Sequence, residues 1–406
     1  MRFALLGEDP RLANLGDTAI RLGHELVWIG AAGDTNLTLP TPSTFPTLST
    51  DNRDVPWQRL LDRDLADIIL VGYGTVEDRR ADQLRMFVQA GVPTLSVHPV
   101  FHSMLTYFEL EMVRDETQCL MQHYTPGVYH PLLRQLRRMV TDAEELGPIE
   151  QVVFDRTMTD RTKEEVQSQL VQDLDLISRV VGNVNRVAVL KAPDVDTAYG
   201  NLSVQMSTSA DLVVRWSVSS STSQPSGRIT LVGRDGQATL QMPEDLTAWS
   251  LEQVGQDGRT TVDSTQNDWD DAADAIRRIV SAVENQAANE SQQSNRGEST
   301  WQAAARTVEV ADAIERSMIK GRTIELHFEQ FSEQSTFKGL MTSLGCGLLI
   351  AALGVVLVAG LIGDAFHLPW AGGWHFALLG VLVVFLLMQL IPRIVFGQTS
   401  DDPEDR

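Results

Sequence analysis

The stretch "TLSVHPVFHS", residues 94–103, places a histidine where a strand is predicted to end. Residues 94–97 are apolar enough for a buried strand, and His98 follows them directly, with Pro99 next. In α/β proteins the chemistry lies beyond the carboxyl ends of parallel strands. Because imidazole titrates near neutral pH, His98 is a candidate general acid or base.

Metal binding is the alternative for this region, since His102, His123 and His130 follow His98 along the chain. A metal site wants about three converging ligands. No acidic partner stands at a fixed spacing from these histidines, and Pro99 interrupts a continuous helix face between His98 and His102. The sequence therefore predicts no metal site.

A group of arginines is the second feature that could do chemistry. The stretch "HPLLRQLRRMV" carries Arg134, Arg137 and Arg138 on a predicted helix. Guanidinium groups suit phosphate, so phosphate binding is one interpretation. Because the chain is strongly acidic, we favour a solvated basic face that pairs with nearby acids.

Composition bounds the class of protein. The chain has 406 residues and a formal net charge of −21, from 33 Lys and Arg against 54 Asp and Glu. Such a chain repels nucleic acid, which excludes that partner. The two cysteines, Cys119 and Cys346, stand in apolar stretches far apart and indicate no disulfide framework, as in a reducing compartment.

The elements that must position these residues fall into two patterns. Strands and helices alternate over residues 1–123, which predicts a Rossmann-like, doubly wound parallel sheet. Over residues 124–328 a long helix is followed by stretches of period two, such as "DLVVRWSVSSS". This pattern predicts an α+β domain with a mostly antiparallel, open sheet.

The C-terminal part predicts a membrane hairpin. Residues 339–363 carry no charge, and 25 residues easily cross a hydrocarbon core of about 30 Å. A second uncharged run follows, so we expect two transmembrane helices within 339–396, a tether at 329–338 and an acidic tail at 397–406. Lys338 and Arg393 flank the hairpin, which predicts a two-pass protein of the cytoplasmic (inner) membrane whose soluble domains face the cytoplasm.

Several stretches, in order, resemble the glucose–fructose oxidoreductase and inositol dehydrogenase family (Gfo/Idh/MocA) over nearly all of residues 1–328. The resemblance rests on "DIILVGYGTVEDRRADQLRMFVQAGVPTLSVHP", "YHPLLRQLRRMV", "DLDLISRVVGNVNRVAV", "GRITLVGRDGQATL" and "ARTVEVADAIERSMIKGRTIEL". It implies an NAD(P)-dependent oxidoreductase that acts on sugars or polyols. The membrane hairpin is not part of the usual family pattern.

The positions that the resemblance assigns to the cofactor depart from the family pattern. The phosphate loop Gly-x-Gly-x-x-Gly becomes "GEDPRL", which keeps Gly7 but has Asp9 and Leu12 at the second and third glycines. The second strand ends at Gly30, with no acid for the ribose before Asp34. The remaining assigned positions are Tyr73 and Val97. We therefore expect that NAD or NADP, the cofactors of the family, binds very weakly or not at all.

The catalytic positions depart as well. Residues 97–99 read Val-His-Pro where the family has Glu-Lys-Pro, so His98 replaces the lysine. With Asp175 aligned to the acid that closes the family's substrate helix, Gln172 replaces the acid–base histidine. Glutamine exchanges no proton near neutral pH. If that register slips by a turn, Asp173 or Asp175 takes a catalytic role.

Two functions of different class stay open at this point. The first is a membrane-anchored, catalytically degenerate homologue that binds an unidentified ligand or protein partner at the cytoplasmic face. The alternative is an active NAD(P)-dependent oxidoreductase on a membrane-associated saccharide or polyol, with His98 in a catalytic role. The resemblance also implies a homo-oligomer through the open face of the second sheet. The stretch "DLVVRWSVSSS" could supply that face, with Val213, Arg215, Ser217 and Ser219 on one side and Leu212, Val214, Trp216 and Val218 on the other.

Overall fold

The computed structural model describes most of the first 326 residues. The described ranges are 1–7, 9–30, 56–73, 77–142, 146–191, 199, 201–221, 224–256, 258, 260–264, 269–287 and 301–326. Met1–His327 form one compact unit. The boundary predicted at 123/124 stays a prediction, and the predicted tether, hairpin and tail lie outside the described residues.

The first sheet has five parallel strands in the order β2-β1-β3-β4-β5. Short apolar runs such as "IILV" are buried on both faces, which is why they read as continuous apolar strands. The strands are β1 Arg2–Leu6, β2 Glu25–Gly30, β3 Ile68–Val71, β4 Thr94–Val97 and β5 Met121–Tyr124. The parallel, Rossmann-like sheet predicted from the sequence is confirmed.

Helices cover both faces of this sheet, and two of them come from late in the chain. The helices are α1 Pro10–Arg21, α2 Glu77–Gln89, α3 Met104–Thr117, α4 Pro131–Asp142, α5 Lys163–Val181, α6 Asp271–Ala287 and α7 Trp301–Lys320. On one face Leu12 and Leu15 of α1 pack with Ile276 of α6. On the other, Tyr107 of α3 packs with Trp301 of α7.

The second sheet has nine strands in the order β13-β12-β11-β10-β6-β9-β8-β7-β14. The strands are β6 Ile149–Met158, β7 Val184–Lys191, β8 Ser203–Thr208, β9 Val213–Ser220, β10 Ser226–Gly233, β11 Gly236–Pro243, β12 Ser250–Gly255, β13 Thr260–Ser264 and β14 Ile324–Glu325. On β9 the side chains alternate as expected, with Val214, Trp216 and Val218 buried and Arg215 and Ser219 exposed.

The predicted fold class needs correction in two respects. First, the second sheet is mixed, because β6 and β9 pair in parallel at its centre. The chain leaves β6 through α5 and returns through two further strands, so β9 runs in the same direction as β6.

Second, the two transmembrane helices are wrong as part of the described fold. Throughout the described ranges, no helix combines the length and the apolar character needed to cross a membrane. The 20-residue α7 shows the physical reason, since one face is buried while Glu309, Asp312 and Arg316 line the other. The two-pass, cytoplasmic-membrane location rested on those helices and is corrected with them.

Candidate functional site

The loop between β1 and α1 occupies the place where dinucleotide-binding folds hold a pyrophosphate. Gly7 has a positive φ of 123°, and a methyl group on it would come within 3.1 Å of the Gly72 backbone. The ends of β1 and β3 therefore approach closely. Asp9 then caps α1, because its Oδ1 accepts a hydrogen bond of 2.9 Å from the Arg11 backbone N–H.

Arg11 ties this loop to the end of β4. Its Nε donates to Asp9 Oδ1 at 2.9 Å and its Nη2 donates to Asp9 Oδ2 at 2.5 Å. Its Nη1 donates to the main-chain oxygen of His98 at 3.0 Å. The guanidinium thus holds the Asp9 carboxylate against the strand end, and the Asp9 side chain is only 7% exposed.

Leu12 fills the space next to the Arg11–Asp9 ion pair. Its side chain is buried, and a methyl group on Gly72 would come within 2.5 Å of Leu12 Cδ1 and 3.0 Å of Asp9 Cβ. A pyrophosphate needs bare backbone and free N–H groups at this helix end. Here a carboxylate caps the helix and an isobutyl group covers the glycine, so these residues do not fit a bound dinucleotide.

At the end of β2 a side chain likewise fills the space beside a glycine. The buried Trp28 ring lies against Gly30, and a methyl group on Gly30 would overlap it. Of the other predicted cofactor positions, Val97 is fully buried and Tyr73 is exposed. Asp34, the first acid after β2, lies outside the described residues.

His98 lies in a buried cluster rather than at an open site. We define the His98 cluster as His98, Tyr107, His123, Asp175 and Thr307, each of which is at most 3% exposed. His98 Nε2 lies 2.8 Å from Thr307 Oγ1, and its Nδ1 lies 3.2 Å from the Tyr107 hydroxyl. Tyr107 comes from α3 and Thr307 from α7, so distant segments enclose the imidazole.

The hydrogen bonds around His98 define one neutral tautomer. Thr307 donates its proton to the Ala304 carbonyl at 2.9 Å, so its Oγ1 accepts from His98 Nε2–H. Tyr107 accepts from the Val100 N–H at 3.1 Å and donates to His98 Nδ1. Both ring nitrogens are therefore engaged. Burial, followed by the neighbouring His123, lowers the pKa of His98 to about 3.

Asp175 completes the cluster through His123. The Nε2 of His123 donates to Asp175 Oδ2 at 2.9 Å, and the rings of His123 and His98 lie 5.1 Å apart. Burial opposes ionisation of Asp175, but the His123 partner outweighs it and holds the pKa of the carboxyl well below its usual range. The structure thus brings together two of the predicted residues, His98 and Asp175.

The remaining α5 candidates are placed differently. Gln172 is half-buried and lies outside the His98 cluster. Asp173 is fully buried, and its carboxylate accepts hydrogen bonds from Arg156, from Trp216 Nε1 at 2.9 Å and from Gln169 Nε2 at 2.9 Å. Because these donors surround Asp173, its carboxylate serves the packing of α5 on the second sheet.

Sequence reasoning missed three of the residues that define this region: Arg11, Tyr107 and Thr307. Arg11 had a local signal, since "DPR" puts a cation two residues after the capping acid. Tyr107 and Thr307 had none, because Thr307 meets His98 across 209 positions of sequence. Only the packing of α3 and α7 against one sheet edge brings them together.

The solved structures that share this fold are Gfo/Idh/MocA-type oxidoreductases. An inositol dehydrogenase homologue from Azotobacter vinelandii, solved with NAD+ and again with NADH and myo-inositol, is 13% identical over 80% of this chain and 97% of its own. Its TM-scores are 0.67 and 0.66. An aldose–aldose oxidoreductase from Caulobacter crescentus, complexed with glycerol, is 13% identical over 80% and 99%, with a TM-score of 0.64.

A third neighbour is an oxidoreductase from Agrobacterium radiobacter, in complex with NAD+, L-tartaric acid and magnesium. It is 13% identical over 80% of this chain and 98% of its own, with a TM-score of 0.61. No protein-family model and no curated protein sequence matches the chain. At this level of identity the likeness establishes the fold alone.

Proposed function

We propose that this chain is a ligand-binding protein that has an oxidoreductase fold and lacks hydride transfer. The main observation behind this proposal is that Asp9 and Leu12 fill the space at the start of α1. Asp9 caps the helix end that a pyrophosphate would need, and Leu12 covers the Gly72 backbone. A dianionic pyrophosphate would also meet the Asp9 carboxylate, and two like charges this close repel each other.

The His98 cluster supports the same proposal. A base that deprotonates an alcohol must reach the substrate and must hold a free lone pair. His98 is fully buried, and both of its ring nitrogens already have partners. Gln172, at the position of the family's acid–base histidine, exchanges no proton near neutral pH.

An active NAD(P)-dependent oxidoreductase on a sugar or polyol is the second candidate, and the comparisons favour it. The neighbours include complexes with NAD+, with NADH and myo-inositol, and with glycerol, and each is matched over nearly all of its length. For this function Asp9 and Leu12 must leave Gly72 when the cofactor binds. The substrate class is then the one that those neighbours suggest.

Titration of the full chain with NADH and NADPH separates the two candidates. Nicotinamide fluorescence is followed to about 1 mM, where binding weaker than roughly −4 kcal/mol goes undetected. We expect no saturable binding to the wild type. We expect binding to the variant Asp9→Gly with Leu12→Ala, which restores small residues at the loop. Asp17→Gly, at a half-exposed side chain of α1, is the matched control and should not bind.

Saturable binding to the wild type at micromolar cofactor would contradict the first candidate. The next experiment is then a panel of polyols with NAD+ and NADP+, with activity of His98→Ala compared to that of the wild type. The variant Asp9→Gly with Leu12→Ala could also fail to bind the cofactor although circular dichroism shows that it is folded. That result would mean that other side chains, such as Trp28 against Gly30, also block the site.

Homo-oligomer formation through the open face of the second sheet is a separate proposal. The alternation on β9 supports it, because Arg215 and Ser219 stand exposed on the face opposite the buried Trp216. Sedimentation velocity of the wild type should give a dimer, and Arg215→Glu should shift it to monomer. A monomeric wild type would contradict this proposal.

A further inference from the structure

Two arginines lie over the ring of one tyrosine near the start of α4, and two more line the same depression as that tyrosine. Arg134 and Arg137 belong to α4, Arg179 to the last turn of α5 and Arg278 to α6. Together with Tyr129 they form what we call the arginine pocket. Arg134, Arg137 and Arg179 line one open depression of about 340 Å3, open solvent included, whose floor is formed by Val128, Tyr129, His130 and Leu133.

The Tyr129 ring lies against two of the arginines, Arg179 and Arg278. The Arg278 Cζ lies 3.8 Å from the centre of the Tyr129 ring, and the Arg179 Cζ lies 5.1 Å from it. The ring is only 7% exposed. Guanidinium groups that stack on an aromatic ring lose little further freedom when they bind an anion. Arg179, which both stacks on Tyr129 and lines the depression, is therefore preorganised.

The other two arginines, Arg134 and Arg137, line the depression with Arg179 and are exposed to solvent. Arg134 and Arg137 are exposed and three residues apart, so they project from the same face of α4. Within the described part of the chain, neither Arg134 nor Arg278 has an ion pair with an acidic side chain. Asp274, the acid of the same helix turn as Arg278, pairs instead with Arg277 at 3.5 Å.

His130 contributes no charge to the pocket. Its Nδ1 accepts from the Leu132 N–H at 3.2 Å and its Nε2 donates to the Leu246 carbonyl at 3.2 Å, which is the pattern of a neutral imidazole. Among the described residues that line the pocket, the positive charge comes from the guanidinium groups. Since these stay protonated at any ordinary pH, any pH dependence of anion binding should come from the titration of the anion itself.

We propose that the arginine pocket binds a phosphate monoester, such as a phosphorylated sugar or polyol. The chain has a net charge of −21, yet Arg134, Arg137 and Arg179 line one depression. Arg278 lies over the same Tyr129 ring as Arg179, so positive charge is concentrated at this place. Planar guanidinium forks match phosphate oxygens with paired, charge-assisted hydrogen bonds. Binding at this site does not depend on whether a dinucleotide binds at the loop before α1.

The test is calorimetric titration of the full chain with glycerol phosphate and with inorganic phosphate. Glycerol and sodium chloride at matched ionic strength serve as blanks. We expect saturable binding of glycerol phosphate, and Arg134→Ala with Arg137→Ala should weaken it about tenfold or more through the loss of charged hydrogen bonds. Arg138→Ala removes one positive charge from the same helix at a residue that does not line the pocket, and it should change the affinity less than about twofold.

Other results would overturn the proposal. No saturable binding up to about 10 mM, which corresponds to a negligible affinity, would show that the pocket holds no phosphate. An equal loss in Arg138→Ala would show nonspecific attraction to a basic helix. Tighter binding of inorganic phosphate than of glycerol phosphate would point to a site for the free ion instead of the monoester. Because cofactor titration uses another site, its outcome is independent of these results.

Discussion

The Arg11 guanidinium donates a hydrogen bond of 3.0 Å to the main-chain oxygen of His98. One side chain therefore joins the start of α1 to the end of β4. In a dinucleotide-binding oxidoreductase these are the places of the pyrophosphate and of a catalytic residue. Here the same guanidinium also holds the capping carboxylate of Asp9, so a side chain of the protein occupies the place of the pyrophosphate.

Replacing the capping residue should destabilise the fold measurably. Asp9→Ala removes the N-cap of α1 and leaves Arg11 without its carboxylate partner, so we expect a loss of about 1–2 kcal/mol in the free energy of unfolding. Urea denaturation followed by circular dichroism measures this loss. Asp17→Ala, at a half-exposed position of the same helix, is the control and should change little. Equal effects of the two variants would contradict a capping role.

Replacing His98 should lower the free energy of unfolding under either of the two candidate functions. His98→Ala opens a cavity in the core and removes a hydrogen-bond partner from Tyr107 and Thr307, for an expected loss of about 2–4 kcal/mol. His102→Ala, at a half-buried position, should lose much less. A stable His98→Ala protein would contradict the structural role that we assign to the imidazole.

The stability of the chain should fall as the solution becomes acidic. Burial and the neighbouring His123 lower the folded-state pKa of His98 to about 3, whereas an unfolded histidine titrates near 6.5. The unfolded chain therefore binds more protons between these values, so the stabilisation is complete above about pH 6.5 and is lost towards pH 3. His98 contributes up to about 1.4 kcal/mol per pH unit in this window.

Denaturation of the wild type and of His98→Gln at pH 7, 6, 5 and 4 measures this contribution. Glutamine can still donate and accept a hydrogen bond but does not titrate, so the variant should lose stability less steeply. Part of the slope should remain, since burial also lowers the pKa of His130, to about 4. Identical slopes for the two proteins would contradict the buried, neutral state of His98.

Asp271 should have the opposite pH dependence. Its Oδ2 accepts from the Tyr124 hydroxyl at 2.7 Å and from the Gly127 N–H at 3.2 Å, while burial raises the pKa of the carboxyl to about 6. The folded state therefore holds a proton that the unfolded chain releases near pH 4. The stabilisation is present below about pH 4 and is lost as the pH rises through 6.

Asp271→Asn tests this sign. Asparagine keeps an acceptor for Tyr124 but does not titrate, so the free energy of unfolding of the variant minus that of the wild type should rise between about pH 4 and pH 6. Asp274→Asn removes a nearby charge that adds to the raised pKa of Asp271, so it should weaken the pH dependence without abolishing it. A flat difference between Asp271→Asn and the wild type would contradict the raised pKa.

Local patterns predicted the elements of this fold well. Uninterrupted apolar runs marked the buried parallel strands, and the alternation on β9 correctly separated Trp216 from Arg215. Asp9 and Leu12, which stand where the family pattern has glycine, fill the space beside Gly72, and weak or absent cofactor binding stays a prediction. These features depend on neighbours within one or two elements.

Long-range pairing could not be predicted from the same patterns. The parallel pairing of β6 with β9 depends on a crossover through α5, which period-two alternation does not encode. His98 was correctly placed at a strand end, but its neutral state depends on Tyr107 and Thr307, which meet it only in the folded chain. For the C-terminal part, the sequence establishes only that long runs are apolar. The residues in these runs lie outside the described ranges.

The covering of the first sheet by α6 and α7 has a consequence for synthesis on the ribosome. The five parallel strands are complete once Tyr124 has been made, yet the partners of Tyr124 and His98 are Asp271 and Thr307. At about 5–20 residues per second, the emerging chain waits on the order of ten to forty seconds for them. During that interval the sheet has incomplete faces, so we expect the nascent protein to depend on holding chaperones until translation passes α7.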